Sequence, residues 1–259
     1  MKTLGIVGLG AMGFPIAQRL QKQGYRLLTT VRSERGHRRA QALNIEVVSA
    51  PDQLPQHTDT VLLLVSNAEQ CRDCLLGERG IFASMTAGVI ILSSTVSPEQ
   101  AAIIQADCPA GIDLLDAPVS GGVSGAEQGQ LVTIAAGNAG IIDRCRDIFS
   151  AYSKKIIVVG ENPGQAQAVK AINQMLVSIH MAGTAEALAL ANASGLDPRL
   201  LFEVISESAG NSAIFQSRAP KLIDRDFSVR ASLETLKKDT EICIHLAETN
   251  HVPCYLTAL

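Results

Sequence analysis

Residues 3–22, TLGIVGLGAMGFPIAQRLQK, constrain the fold more than any other stretch of this chain. Residues 3–7 form a short apolar run of strand character, and Met12, Ile16 and Leu20 recur at helical spacing over 11–22. Between the two lie Gly8, Leu9, Gly10, Ala11, Met12 and Gly13. In a strand that runs through G-x-G-x-x-G into a helix, each glycine has a task. Gly8 permits a tight turn, Gly10 lets the backbone approach a pyrophosphate, and Gly13 lets the helix lie against the strand. The first helical N–H groups and the positive end of the helix dipole then face the phosphates. The stretch predicts a dinucleotide site in which residues 8–13 make the phosphate-side contacts. An apolar run behind one lysine could also open a signal peptide. The glycine spacing and the periodic helix argue against export and predict a cytoplasmic protein.

Strand-like runs at 26–31, 46–48, 59–65, 89–92, 112–115, 130–136 and 155–159 follow. Helical patterns at 34–43, 68–75, 98–106 and 141–151 separate most of them. This alternation predicts a doubly wound α/β domain of Rossmann type, with a largely parallel sheet, over 1–161. After residue 160 no run reads as a strand, and helices are expected at 163–194, 198–208, 212–222 and 231–249. Residues 162–259 are therefore expected to form an all-α C-terminal domain joined to the first through the long helix.

A net charge of -3 from 22 basic and 25 acidic residues gives no field that would attract nucleic acid. Aromatic residues at 3%, with no Trp, leave little surface for stacking bases. The longest uncharged stretch, 81–98, is broken by several Ser and Thr residues, so no membrane-spanning helix is expected. Of six scattered cysteines only Cys71 and Cys74 are close in sequence. With no second pair and no nearby histidine they read as half-buried thiols in a reducing compartment. His57, His245 and His251 lack metal-like spacing, His180 reads as a core or interface residue, and no metal is expected.

The second strand ends Thr30-Val31-Arg32-Ser33 with no acid at its tip, and Glu34 more naturally opens the next helix. NAD binders place a carboxylate here for the ribose hydroxyls, whereas a guanidinium beside a hydroxyl suits a 2′-phosphate. Arg32 and Ser33 thus favour NADP over NAD, while Arg38 and Arg39 read as a solvated basic face.

In the stretch 162–195, Asn162 and Pro163 read as a capping amide followed by a first-turn ring, and Gly195 closes the helix. Val169, Ile172, Leu176 and Ile179 form one apolar stripe, and Met175, Ala182, Ala185 and Leu188 another. A helix apolar on two faces is expected to be buried between other elements. Its single lysine, Lys170, has Asn173 and Gln174 three and four residues on, hence on the same face. Such a lysine either snorkels to water or has a task, since apolar surroundings favour loss of its proton. Upstream, Asp116-Ala117-Pro118-Val119-Ser120-Gly121-Gly122 follows a strand. Successive N–H groups at Gly121 and Gly122 beside the Ser120 hydroxyl would cradle a carboxylate, or the segment is a flexible loop.

GLGAMG, DAPVSGG, GQAQAVKAINQ and LKKD (236–239) occur in order across most of the chain. With them the whole chain resembles the β-hydroxyacid dehydrogenases, relatives of 3-hydroxyisobutyrate dehydrogenase and tartronate semialdehyde reductase. The resemblance implies hydride transfer between a nicotinamide cofactor and a small hydroxy acid. It implies Lys170 as the catalytic lysine, aided by Asn173 and Gln174, with Ser120, Gly121 and Gly122 binding the substrate carboxylate. It also implies Thr95 and Lys238 as cofactor contacts and Val65 and Ser66 as lining of the nucleotide cleft. C-terminal helices that complete the substrate site and the interface of a homodimer or homotetramer are implied as well.

Two departures from the family pattern stand out. Its usual K-x-x-N-N carries Gln174 in place of the second asparagine, and the longer side chain reshapes the pocket. This glutamine, with 185–191 and Gly210-Asn211-Ser212, looks most like the L-threonate dehydrogenase branch. That branch implies NAD, at odds with Arg32 and Ser33. Relatives also run on for a further helix or two past residue 259, so a C-terminally short domain is expected. Two other readings share the architecture, a non-catalytic dinucleotide-binding sensor and an imine reductase. Both typically lack the lysine that this chain keeps at 170.

Overall fold

In the computed structural model, which describes residues 2–228 and 233–258, strand and helix alternate from the start. The order is β1 (Thr3–Val7), α1 (Gly13–Lys22), β2 (Arg26–Thr29), α2 (Glu34–Ala42), β3 (Glu46–Val47), β4 (Thr60–Leu63), α3 (Ala68–Leu76), β5 (Gly88–Leu92), α4 (Pro98–Ala106) and β6 (Ile112–Asp116). These strands line up β3-β2-β1-β4-β5-β6 and pair in parallel, the doubly wound order. Then come β7 (Val119–Ser120), α5 (Gly122–Gln128), β8 (Leu131–Ala136), α6 (Ala139–Arg144), α7 (Arg146–Ser150) and β9 (Ser153–Gly160). β8 pairs antiparallel with both β6 and β7, and β9 runs parallel to β8.

Both faces of the sheet are covered, which is why its strands read as nearly continuous apolar runs. Leu4 and Ile6 of β1, Leu62 of β4 and Ile91 of β5 join Ile16 and Leu20 of α1 and Phe149 of α7 in one core. Their sequence neighbours Val61, Leu63, Ile90 and Leu92 point the other way, to Cys71 and Leu75 of α3 and Ile104 of α4. Helix starts carry side-chain caps: Ser33 for α2, Asn67 for α3, and a full capping box of Ser97 and Gln100 ahead of Pro98 for α4.

Helix α8 (Gln165–Ala193) leads into α9 (Pro198–Ser206), α10 (Ala213–Ile223), α11 (Leu233–Thr249) and α12 (Tyr255–Ala258), and no strand follows β9 among the described residues. Two compact units result, Met1–Lys170 and Ala171–Leu259, and the division falls inside α8. In the second unit α8 is tied to α11 by Gln174 Nε2 donating to Asp239 Oδ2 at 2.8 Å and by a Ser178–Thr240 hydroxyl pair at 2.9 Å. Phe202 of α9 stacks on Phe215 of α10. Among the described residues no helix is long and apolar enough to cross a membrane.

Several local expectations change. The helix expected over 141–151 is two, α6 and α7, broken at Cys145. The segment read as a nest or a flexible loop is ordered as β7 and α5. Helix α8 starts at Gln165, so Asn162 and Pro163 precede it and do not cap it. The stripe expected to be buried is open, with Val169, Ile172 and Leu176 exposed at 41%, 48% and 47%.

Candidate active site

The residues named from the sequence as cofactor contacts in the first unit collect at the carboxyl ends of parallel strands. Gly8–Gly13 follow β1, Arg32 and Ser33 follow β2, Val65 and Ser66 follow β4, and Thr95 follows β5. The strand order reverses between β1 and β4, and ligands of open α/β sheets bind in the crevice at that switch point. Gly8 has φ +102°, and a Cβ there would run into the Leu64 carbonyl. A Cβ at Gly13 would overlap the Gly8 carbonyl oxygen, whereas one at Gly10 would meet nothing within 4 Å. Helix α1 starts at Gly13 with no side-chain cap. An open approach at Gly10 beside an uncapped helix N-terminus fits a pyrophosphate, so the residues present suit a dinucleotide.

Arg39 corrects one expectation. Its guanidinium is not part of a solvated face; Nη1 donates to the Leu9 carbonyl at 2.7 Å, and the group lies 5.2 Å over the Phe14 ring. Burial, and then the Arg35 charge, lower its pKa. Arg38 does stay at the surface, paired with Glu34 at 2.8 Å. Arg32 lies 3.3 Å from Asp73 and 3.5 Å from the Cys74 sulfur, both partners on α3. The Ser33 hydroxyl accepts the Gly36 N–H as the cap of α2. Cys71 and Cys74 form no disulfide and are buried rather than half-buried, and burial pushes the Cys74 thiol up.

The Val65 N–H donates to Ser94 Oγ at 2.9 Å, which ties the end of β4 to the end of β5. The Ser66 N–H donates to the Gln70 side chain, and Ser93 Oγ to the Ala117 carbonyl at 2.7 Å. The loop that holds Thr95 is thereby bound on both sides. Ser120 ends β7, held opposite Val132 of β8. Gly121, at φ +127°, turns the chain directly into α5 at Gly122. Ser120 therefore directly precedes the first turn of α5.

Lys170 stands on α8 with only 7% of its surface exposed. One turn on, Asn173 Nδ2 donates to Gln174 Oε1 at 3.2 Å, and the other end of the Gln174 amide is the donor to Asp239. Asp239 is 3% exposed, and the Lys238 ammonium lies 2.9 Å from its second oxygen. Asn173, Gln174, Asp239 and Lys238 are therefore one connected polar group within the second unit.

Asp116 is the residue that sequence reasoning missed. Fully buried at the end of β6, its Oδ2 accepts the backbone N–H groups of Gly164, Ala166 and Gln167 at 2.8, 3.1 and 3.2 Å. This carboxylate, and not Asn162, caps α8. Burial raises its pKa to about 6, against the lowering effect of those hydrogen bonds. The only signal in the sequence was its place at the head of DAPVSGG.

A glycine loop with an open approach at Gly10 and an uncapped helix start at the switch point of a doubly wound sheet define a dinucleotide-binding α/β protein. Residues 3–160 match the family described as the NAD binding domain of 6-phosphogluconate dehydrogenase. Residues 164–259 match the NAD-binding family of NADP-dependent 3-hydroxyisobutyrate dehydrogenase. The chain belongs to the β-hydroxyacid dehydrogenase family. Among particular relatives, an L-threonate dehydrogenase of Cupriavidus necator is 36% identical over 99% of this chain and 87% of its own length. An L-threonate dehydrogenase of Escherichia coli is 32% identical over 98% of this chain and 85% of its own. A crystal structure of 3-hydroxyisobutyrate dehydrogenase from Salmonella typhimurium superposes with a TM-score of 0.89 at 29% identity, covering 100% of this chain and 91% of that one.

Proposed function

We propose that this dehydrogenase interconverts L-threonate, or a hydroxy acid of similar polarity, and its oxidised form, with Lys170 as general acid and base and NADP as the preferred cofactor. The observation that carries the reading is the buried Lys170 on a helix whose first turn is capped from the carboxyl edge of the sheet. The cofactor, when bound along the glycine loop, accepts or supplies the hydride. Lys170 Nζ takes the hydroxyl proton in oxidation and returns it in reduction. The Ser120 hydroxyl and the Gly121 and Gly122 N–H groups hold the carboxylate. Asn173 holds the surroundings of the reacting hydroxyl, and Gln174, bonded to Asn173 and to Asp239, keeps it in place. Thr95, Val65, Ser66 and Lys238 contact the cofactor.

The substrate rests on the names of the relatives and on Gln174; the preference for NADP rests on Arg32 and Ser33. Arg32 is more than half exposed in its pair with Asp73, so little is lost when the guanidinium turns to a phosphate. The exposed stripe of α8 supports self-association into a homodimer or homotetramer.

The test is a paired fluorescence titration with NADPH and NADH, followed by turnover of threonate, glycerate and 3-hydroxyisobutyrate. Tighter NADPH binding and turnover of threonate are expected. Lys170→Ala should lose turnover by roughly 10²–10⁴-fold with cofactor affinity unchanged. A variant with wild-type kcat removes the lysine from its role, and a preference for NADH removes Arg32 and Ser33 from theirs. Cofactor binding with no turnover of any acid would favour a non-catalytic sensor.

A further inference from the structure

We propose that Asp116 and Gln167 are positioning residues that lock the first turn of α8 to segment 94–96 and so fix where Lys170 stands relative to Thr95. The inference rests on the catalytic reading of Lys170 given above.

The first N–H groups of a helix need acceptors from outside the helix. For α8, three of them converge on one oxygen of Asp116. The other oxygen accepts Gln167 Nε2 at 2.7 Å. That same Nε2 donates to the Ser94 carbonyl at 3.1 Å, while Gln167 Oε1 accepts the Val96 N–H at 3.1 Å. One amide therefore brackets Thr95 from both sides, and both Asp116 and Gln167 are fully buried. The network has a single polarity, because a carboxylate only accepts and the amide has its donor end and its acceptor end already committed. Lys170 follows Gln167 by three residues, one turn along the same side of α8. Asp116 also heads the segment that leads to Ser120. Proton-transfer lysine, cofactor loop and carboxylate cradle thus meet at two side chains.

A local Ser or Asn would cap a helix without the desolvation that a buried carboxylate carries, so helix stability alone does not account for Asp116. Its immediate partners are neutral amides. Segment 93–97, β5 and β8 contain no titratable residue, and Glu99, Asp143, Arg144, Lys154 and Lys155 on the neighbouring elements are exposed. Lys170, a turn further on, is the charged group of α8 on that side.

The test uses D116N, Q167E and the double variant D116N/Q167E in the whole chain. D116N aims an amide donor at other donors, and Q167E sets two carboxylates face to face while removing the donor to Ser94. Each single variant is expected to lower kcat by roughly 10- to 100-fold while the affinity for NADPH and NADH holds. The double variant restores donor-to-acceptor order between positions 116 and 167 and should exceed either single one. In the reducing direction Lys170 gives up its proton, so acid keeps it in the form that reacts. A fall of wild-type kcat below pH about 6 then reports loss of the Asp116 charge, and D116N should lack that limb. Single variants with wild-type kcat, or a double variant no better than they are, would overturn the proposal. If wild type turns over no hydroxy acid, the catalytic reading has failed. Amide exchange at Gly164, Ala166 and Gln167 then decides on the lock: faster exchange in D116N upholds it, unchanged exchange overturns it.

Discussion

Asp116 lies fully buried at the end of β6, with three backbone N–H groups at the start of α8 donating to one of its oxygens. Burial lifts its carboxyl from 3.8 to about 6, so the folded chain holds that proton more tightly than the unfolded chain does. Between those values folding takes up a proton. The contribution of this group to stability is therefore greatest at and below the unfolded value, and it is lost as pH rises through the folded one. D116N carries no such proton. The unfolding free energy of wild type minus that of D116N is expected to fall by on the order of 1–3 kcal/mol as pH is raised from about 4 to about 7. Denaturant titrations at a series of pH values measure it, and a difference that is flat or rises with pH would show that the carboxyl is not perturbed this way. The placement of Lys170, Asn173 and Gln174 within one turn of α8 was legible in the sequence, because helical spacing sets it. The partners of Asp116 lie 48 to 51 residues away, and no local pattern encodes a cap donated across that distance.

At the scale of elements, local pattern was enough wherever a segment carries its own signals. β1 and α4 fall where periodicity and caps place them, since Ser97, Pro98 and Gln100 write the start of α4 into the chain. α5 was hidden because Gly122 and Gly125 lower helix propensity, and its support comes from packing on α1 and β8. The βα unit around the glycine loop yields a prediction that separates fold from function. A methyl at Gly10 meets nothing in the protein alone, while one at Gly13 overlaps the Gly8 carbonyl. Gly10→Ala should leave Tm unchanged and weaken NADPH and NADH binding, because it fills the approach that the pyrophosphate needs. Gly13→Ala should lower both, with a stability loss of about 1–3 kcal/mol as α1 lifts from β1. Thermal melts paired with cofactor titrations distinguish the two. Full cofactor affinity in Gly10→Ala would mean that the pyrophosphate lies elsewhere.

For the whole molecule, apolar patterning reveals which faces avoid water but not what covers them. Both stripes of α8 could be read from the sequence, yet the expectation that the helix is buried between other elements fails for Val169, Ile172 and Leu176. Leu190, at 69% exposure near the end of the helix, continues the open apolar surface. Isolated exposed leucines are ordinary in soluble proteins, but a row of large aliphatic side chains along one helix marks an interaction surface. A second copy of the chain is the simplest cover, because a two-fold axis lays the same stripe against itself. Wild type is accordingly expected to sediment as a dimer or tetramer, with a Tm that rises with protein concentration. Ile172→Glu and Leu176→Glu place charges where half of each side chain is already in water, so the single-chain fold should persist. Their expected effect is a shift towards monomer with loss of the concentration dependence of Tm. Sedimentation as wild type would move the interface off this face of α8, and a monomeric wild type would remove the self-association itself.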